Sequence, residues 1–434
     1  MPILGLDIGS SSVKVAILKG TDIVGEVGRE SFKTRFDGAK VEVDPNAVLK
    51  AIRGAIAQLP KQQVKQVEAV ALSVMSPAWV AMEADGKPLT PIVTHQDRRS
   101  VEQALAIEAA VGKRRHLKLA GNRPFPGGIS STTFAWYKAN EPARLKKVDL
   151  VGQLNTFICR QFTGRRAIDP SNASFTGLYE TTTLAGWNDE LCDAAGVSRH
   201  LLPEVLESNR IAGHLSRATA LRYGLTEGLP LLIGLVDGSA GMLLAGAKVG
   251  QLLNVSGSTD VLAVCVDRPQ PHEKLLTRAV GVGRKWLSVS TLAAVGTALN
   301  WAREQLFADL SDQAYWKLVG KLAKRKGATR VHFDNRLAGE RTSIEQQTAS
   351  ITGLTLATTR QDILAGLVDN LAVTSAARLA LLKQPGVKFR KEVVIAGGVG
   401  RRLSSVLHRD WQGDWQFTIP PEEATLRGLG VLVE

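Results

Sequence analysis

Two stretches with one plan, "LDIGSSSVKVAIL" at 6–18 and "LLNVSGSTDVLAVCV" at 252–266, constrain this chain more than any other feature. Each reads as an apolar strand, a Gly-Ser-Ser/Thr turn and a second apolar strand. Leu4, Leu6 and Ile8 alternate before the first turn, and Val13, Val15 and Ile17 after it. Gly257 falls where Gly9 falls, and Ser258-Thr259 where Ser10-Ser11 fall, while Val255 stands in the place of Asp7. One copy opening each half predicts two related α/β domains facing each other across a cleft. Two unrelated β-hairpins would give the same local pattern.

Such a turn is rich in backbone N–H groups and hydroxyls, the chemistry that cradles phosphate. Asp7 at its lip would repel an anion unless a divalent cation lies between them, and Mg²⁺ is commonly shared by one or two carboxylates and phosphate oxygens. A turn-initiating Asp is the plainer alternative. Lys14, on the second strand, either adds positive charge near the same phosphates or is an exposed strand lysine.

The rest of the chain alternates strands and helices. Residues 46–59 read as a helix, 67–75 as a buried strand, and 79–95 as a hairpin turning at Asp85-Gly86. Apolar spacing of three and four predicts a long half-buried helix over 360–383. "LPLLIGLVDGSAGMLLAGA" (229–247) reads as a strand running into a helix that begins near Asp237. Asp237 is then either an N-cap, worth roughly 1 kcal/mol, or a general base at a strand end, where α/β proteins present their chemistry. The turn Gly397-Gly398-Val399-Gly400 lets backbone approach a flat ligand, or simply joins strand to helix. The domain boundary is expected near 240–250.

Several classes are disfavoured. With 434 residues, 44% hydrophobic and 22% charged, each domain can bury a core and whole-chain disorder is excluded. No apolar run long enough for a membrane span is expected, and "MPILGLDIGS" enters a strand without a signal-peptide pattern. Cys159, Cys192 and Cys265 follow no metal-ligand spacing and are read as reduced thiols of a cytoplasmic protein. The histidines form no HxxxH or HExxH pattern. The net charge of +13 gathers at 112–118 and 321–330 without interleaved aromatics, which reads as solvated helix faces rather than a nucleic-acid surface. There is no Walker A sequence, and "AGGVGRR" lacks the Rossmann spacing.

Taken in order along the chain, these pieces resemble the FGGY carbohydrate kinases of the actin/Hsp70-like ATPase superfamily. "LGLDIGSSSVKVAI" is similar to the family's first phosphate loop and "VSGSTDVLAV" to its second. "DGKPLTPIVTHQDRRS" resembles the sugar-domain segment, and "STTFAWYKANEP" the N-terminal signature, with Thr133 where a lysine is usual. "GLVDGSAGMLLAGA" resembles the segment of the catalytic base. "AGERTS" with 349–369 resembles the C-terminal signature, where Gly366-Leu367 departs from the small-residue pair, and "IAGGVGRR" the adenosine-side turn.

The resemblance implies two actin-like (ribonuclease H-like) α/β domains flanking a catalytic cleft. Residues 1–245 would bind sugar and carry catalysis, and 246–434 would bind ATP. It implies ATP and Mg²⁺, with Asp7 as the metal-side carboxylate and Asp237 as the base that takes a proton from a substrate hydroxyl. Gly9, Ser10, Ser11, Ser12, Lys14, Gly257, Ser258, Thr259, Gly296, Gly397, Gly398 and Arg402 would meet ATP. Asp7, Met75, Ser76, Asp97 and Asp237 would face the sugar. Xylulose kinases usually carry Gly-Gln-Met-His-Gly where this chain reads Ser73-Val74-Met75-Ser76-Pro77. That departure and the short chain favour a ketopentose, D-ribulose first and D-xylulose second. Neither nucleic acid nor membrane is expected as a partner, and the chain is expected as a monomer or homodimer.

Overall fold

In the computed structural model, which describes every residue except 326, 328, 384, 385, 398, 399 and 434, the opening alternation forms an antiparallel pair. These are β1 (Pro2–Ile8) and β2 (Ser12–Lys19), with Asp7 opposite Lys14. β2 continues into β3 (Asp22–Ser31). Helix α1 (Pro45–Ala57) starts at Asp44, whose side chain accepts from the Asn46 N–H. It buries Val48, Ala51, Ile52, Ala55 and Ile56, one face at helical spacing.

The next strand, β4 (Ala69–Val74), is buried along its whole length, as expected between two strands of a covered sheet. A four-residue helix α2 (Pro170–Ala173), strands β5 (Ile211–His214) and β6 (Pro230–Val236), and helix α3 (Asp237–Leu244) come after it. The sheet order is β5-β6-β4-β1-β2-β3, with β1, β4 and β6 mutually parallel. Residues Ala78–Met82 and Ile92–Thr94 pair antiparallel, as the hairpin reading predicts.

The second glycine-turn pair is β7 (Leu252–Ser256) and β8 (Asp260–Val266). After it come β9 (Trp286–Leu292), α4 (Gly296–Leu306), α5 (Asp312–Ala323), α6 (Arg360–Leu382), β10 (Glu392–Ala396), α7 (Gly400–Leu407), β11 (Gln416–Thr418) and α8 (Ala424–Gly430). Strands run in the order β9-β8-β7-β10-β11. A second core, including Leu299, Phe307, Tyr315, Leu367, Leu371 and Val406, fills between this sheet's helices.

By length and composition alone α6 is long and apolar enough to span a membrane, which corrects the expectation that no run is. Half of its apolar window is buried inside the protein, the mark of a core helix. A capping box joining Thr359 and Asp362 fixes its start.

The compact units are discontinuous in sequence. One comprises 1–247, 265–287 and 422–434, and the other 248–264 and 288–421. A single cut near 245 therefore marks the first of several passages of the chain between them.

Candidate active site

Three parallel strands end together in the first unit. Register sets Asp7 beside Ser73, and Val74 beside both Ile8 and Val236. The carboxyl ends of β1, β4 and β6 thus deliver Asp7, Met75 and Asp237 to one place, the usual address of α/β chemistry. Ser73 Oγ donates to Asp7 Oδ1 at 3.1 Å.

Asp7 is 8% exposed. Burial pushes its carboxyl from the ordinary 3.8 up to about 7; the charge of Asp237 adds to the rise, and Lys14 and Ser73 work against it. The two acids therefore feel each other electrostatically. Asp237 is not the N-cap of α3. That position belongs to Val236, and Asp237 is the first helical residue, its Oδ1 accepting from the Gly238 N–H at 2.5 Å. The capping explanation for an acid here falls away.

The first turn is closed by Gly9 N–H donating to Ser12 O at 3.0 Å. Ser10 and Ser11 are exposed, and their carbonyls are tied back by Thr34 Oγ1 and Phe32 N–H. Lys14 Nζ lies 2.8 Å from Glu423 Oε2, and Arg29 also pairs with Glu423. Glu423 stands just before α8 in a left-handed conformation, φ 62°.

On the expected sugar side, Met75 is buried, and its N–H donates to Ile8 O at 2.8 Å. The Ser76 Oγ is buried without a hydrogen-bond partner among the described residues. Asp97 is tied into a hydrogen-bond and ion-pair network. Its carboxylate accepts from Val41 N–H, Arg99 N–H and the Arg99 guanidinium, which also holds Glu42 at 2.6 Å. At 1% exposed, Asp97 partners Arg99, which would be costly to bury unpaired.

Glu423 and Arg278 were not singled out by sequence reasoning. The Arg278 guanidinium is buried, 5.6 Å from the Phe175 ring, and its Nη2 comes within 2.5 Å of where a Cβ on Gly238 would stand. A positive charge thus lies beside the residue that comes after Asp237. Nothing in "LLTRAV" signals it, since only the fold brings residues 238 and 278 together.

In the second unit the glycines converge on the second turn. Gly257 N–H donates to Thr259 O at 2.8 Å, Gly296 N–H to Gly257 O at 3.1 Å, and Thr297 N–H to Ser258 O at 3.3 Å. Gly397 has φ 95°, and a Cβ there would lie 2.2 Å from Ser256 O, so no other residue fits without displacement. Gly398 lies outside the described residues.

Arg402 lies over the Trp316 ring at 5.8 Å and 3.9 Å from Asp312. These three, with Gln313, Val319 and Ser405 among others, line a cavity of about 350 Å³ between α5 and α7. The turn's exit is locked by Asp260, which accepts from Ser256 Oγ, Asn254 Nδ2 and Arg378 Nη1, the last at 2.6 Å.

The Asp7 site fits a hard divalent cation. A buried carboxylate raised by its neighbour Asp237 gains most from a nearby positive charge. No group of three His, Cys, Asp or Glu side chains suited to a metal occurs among the described residues. The protein would supply one or two ligands, leaving the rest to water and phosphate oxygens, as is usual for Mg²⁺.

Comparison with known proteins gives this geometry its context. The N-terminal domain of the FGGY family of carbohydrate kinases matches residues 2–244, and its C-terminal domain matches 252–404. Gluconokinase of Bacillus subtilis is 25% identical over 407 residues, covering 89% of this chain and 79% of its own. Xylulose kinase of Staphylococcus xylosus is 21% identical over 405 residues, covering 91% and 83%. The crystal structure of xylulose kinase from Rhodospirillum rubrum superposes with a TM-score of 0.85 at 21% identity, covering 99% of this chain and 90% of that one.

The fold is that of two-domain α/β sugar kinases, with the actin/Hsp70-like architecture that the resemblance implies. The chain belongs to the FGGY family of carbohydrate kinases, ATP-dependent phosphotransferases with an alcohol group as acceptor.

Proposed function

We propose that this kinase phosphorylates a hydroxyl of a five-carbon ketose, D-ribulose first and D-xylulose second, with Asp237 as general base. The observation that carries the reading is the convergence of Asp7 and Asp237 at the ends of parallel strands. Phosphoryl transfer needs positioning and charge neutralisation more than covalent help. Asp237 would accept the hydroxyl proton.

Asp7 would hold Mg²⁺, which supplies charge neutralisation at the ATP phosphates. Lys14 and the turn at Gly9–Ser12 would bind phosphate oxygens from the first unit. The turn at Gly257–Thr259, buttressed by Gly296 and Gly397, would do so from the second, and the cavity beside Arg402 is large enough for an adenosine. Ser76, whose buried hydroxyl lacks a partner, suits a sugar hydroxyl. Asp97 is assigned to holding Arg99. Three free, buried cysteines suit a reducing cytoplasm.

Arg278 favours one second reading. A buried guanidinium beside Gly238 would suit the carboxylate of a sugar acid such as gluconate, and a gluconokinase is among the relatives. ADP formation with Mg-ATP across D-ribulose, D-xylulose, L-ribulose, ribitol, glycerol and D-gluconate, beside Asp237→Ala, tests both. Turnover with a ketopentose that disappears in the variant supports the first. Turnover with gluconate alone replaces it by the second.

A further inference from the structure

Strand β6 does not run evenly into Asp237. Its pairing with β4 steps from Leu232 opposite Ala71 to Leu235 opposite Ser73, so β6 carries one residue more than its partner. The extra length is taken up at Gly234, φ 70°, where a Cβ would lie 1.9 Å from Leu72 O. Bulges of this kind re-aim the residues beyond them. They also free backbone N–H groups from the ladder, which must be satisfied elsewhere.

Here two of the N–H groups around the bulge, those of Gly234 and Val236, lead to one residue. Ile233 N–H donates to Arg210 O at 3.2 Å, and Gly234 N–H to Ser208 O at 3.1 Å. The Ser208 hydroxyl donates to Asp169 Oδ2 at 3.1 Å. Val236 N–H, one residue before Asp237, donates to Ser171 Oγ at 3.0 Å, and that hydroxyl donates to Asp169 Oδ2 at 2.5 Å. Asp169 also accepts from the Ser171 and Asn172 N–H groups and from Asn155 and Asn172 Nδ2. It is fully buried.

We propose that Asp169, acting through Ser171 and Ser208, is a positioning residue that clamps the bulged end of β6 and so fixes the direction in which Asp237 is presented. The inference rests on Asp237 being the base. Asp169 never meets substrate. Its carboxylate, faced on both oxygens by donors, orients the Ser171 hydroxyl so that a lone pair meets the Val236 amide. Ser171→Ala would leave both the amide and the carboxylate short of a partner, and Asp237 free to tilt.

The test compares Ser171→Ala with Ser174→Ala and Asp237→Asn in the full chain, using whichever sugar of the panel above wild type turns over fastest. Ser174 is an equally buried hydroxyl on the same turn that donates to Pro170 O and accepts from Ala279 N–H, with no link to β6. The expectation for Ser171→Ala is a kcat lowered roughly ten- to hundredfold, as misplacement of a reacting group causes. KM for sugar and ATP should stay within about twofold, and amide exchange should quicken in the peptide spanning 230–240.

Ser174→Ala should keep wild-type kcat. Equal kcat in the two serine variants overturns the proposal while a dead Asp237→Asn leaves the base assignment standing. An active Asp237→Asn removes both. If Ser171→Ala does not fold, Ser208→Ala decides: a lowered kcat at unchanged KM supports the clamp, and an unchanged kcat overturns it.

Discussion

Lys14 faces Asp7 across the β1–β2 pair, yet its ammonium is held by Glu423 at 2.8 Å. Burial pushes the Glu423 carboxyl up, but Lys14 and Arg29 outweigh it and hold the group below its ordinary value. Lys14 is therefore kept near Asp7 by an anion arriving from a distant part of the chain. Lys14→Met should lower kcat/KM for ATP by roughly ten- to hundredfold, the worth of a charged hydrogen bond to phosphate. It should also move the acid limb of the pH–rate profile upward, since Lys14 restrains the rise of Asp7. Steady-state kinetics from pH 5 to 9 would show both.

Asp7 makes the apo protein's stability depend on pH in an unusual direction. Its folded value, about 7, lies above its ordinary 3.8, so the folded state holds the proton more tightly. That contribution is fully present below pH 3.8 and lost as pH rises through about 7, an interval corresponding to roughly 4 kcal/mol. Asp7→Asn should thus raise the melting temperature over wild type by an amount that grows from pH 4 to pH 7 and then levels. Mg²⁺ added at pH 8 should raise the wild-type melting temperature and leave the variant's unmoved. Scanning calorimetry at several pH values tests both.

Removal of the proposed base is the sharpest kinetic test. Asp237→Asn keeps shape while losing the proton acceptor, and should lower kcat about 10²–10⁴-fold with little change in KM. Coupled-assay ADP release is the measurement.

Arg378 and Asp260 form a buried pair, 5% and 1% exposed, at the exit of the second turn. Arg378→Met would strand the carboxylate and should cost about 3–5 kcal/mol of stability. Urea unfolding would register it, and the companion double variant Arg378→Met/Asp260→Asn should recover part of the loss.

Arg402 over Trp316 forms one wall of the cavity between α5 and α7. If adenosine occupies it, Arg402→Ala removes a contact of about 1 kcal/mol and should raise KM for ATP roughly fivefold while leaving the sugar KM unchanged.

What could be read from the sequence was whatever is local. The alternations around Gly9 and Gly257 gave both hairpins, the three-and-four spacing at 360–383 gave α6, and the strand before Asp237 gave that acid its place at a strand end. Contacts between distant segments left no local trace. Glu423 reaches Lys14 across most of the chain, Arg278 meets Gly238, and Ser171 meets Val236. The partners of Asp97 were legible only in part. Its neighbour Arg99 was in view, but Val41, which supplies a backbone donor, comes from another strand.

The interrupted layout of the first unit carries a consequence for biosynthesis. Helix α8 packs against α3 and β1, and Glu423 at its start completes the surroundings of Lys14. All of this comes from 422–434, which a ribosome reaches only after making the whole of 248–421. A nascent chain halted between 248 and 421 carries Asp7 and Asp237 but not the segment that finishes their neighbourhood. Such fragments would expose the apolar flank that Leu426 and Leu429 normally cover and would be candidates for chaperone capture or degradation. For this chain, phosphoryl-transfer competence waits on residues 422–434 and is not acquired domain by domain as synthesis proceeds.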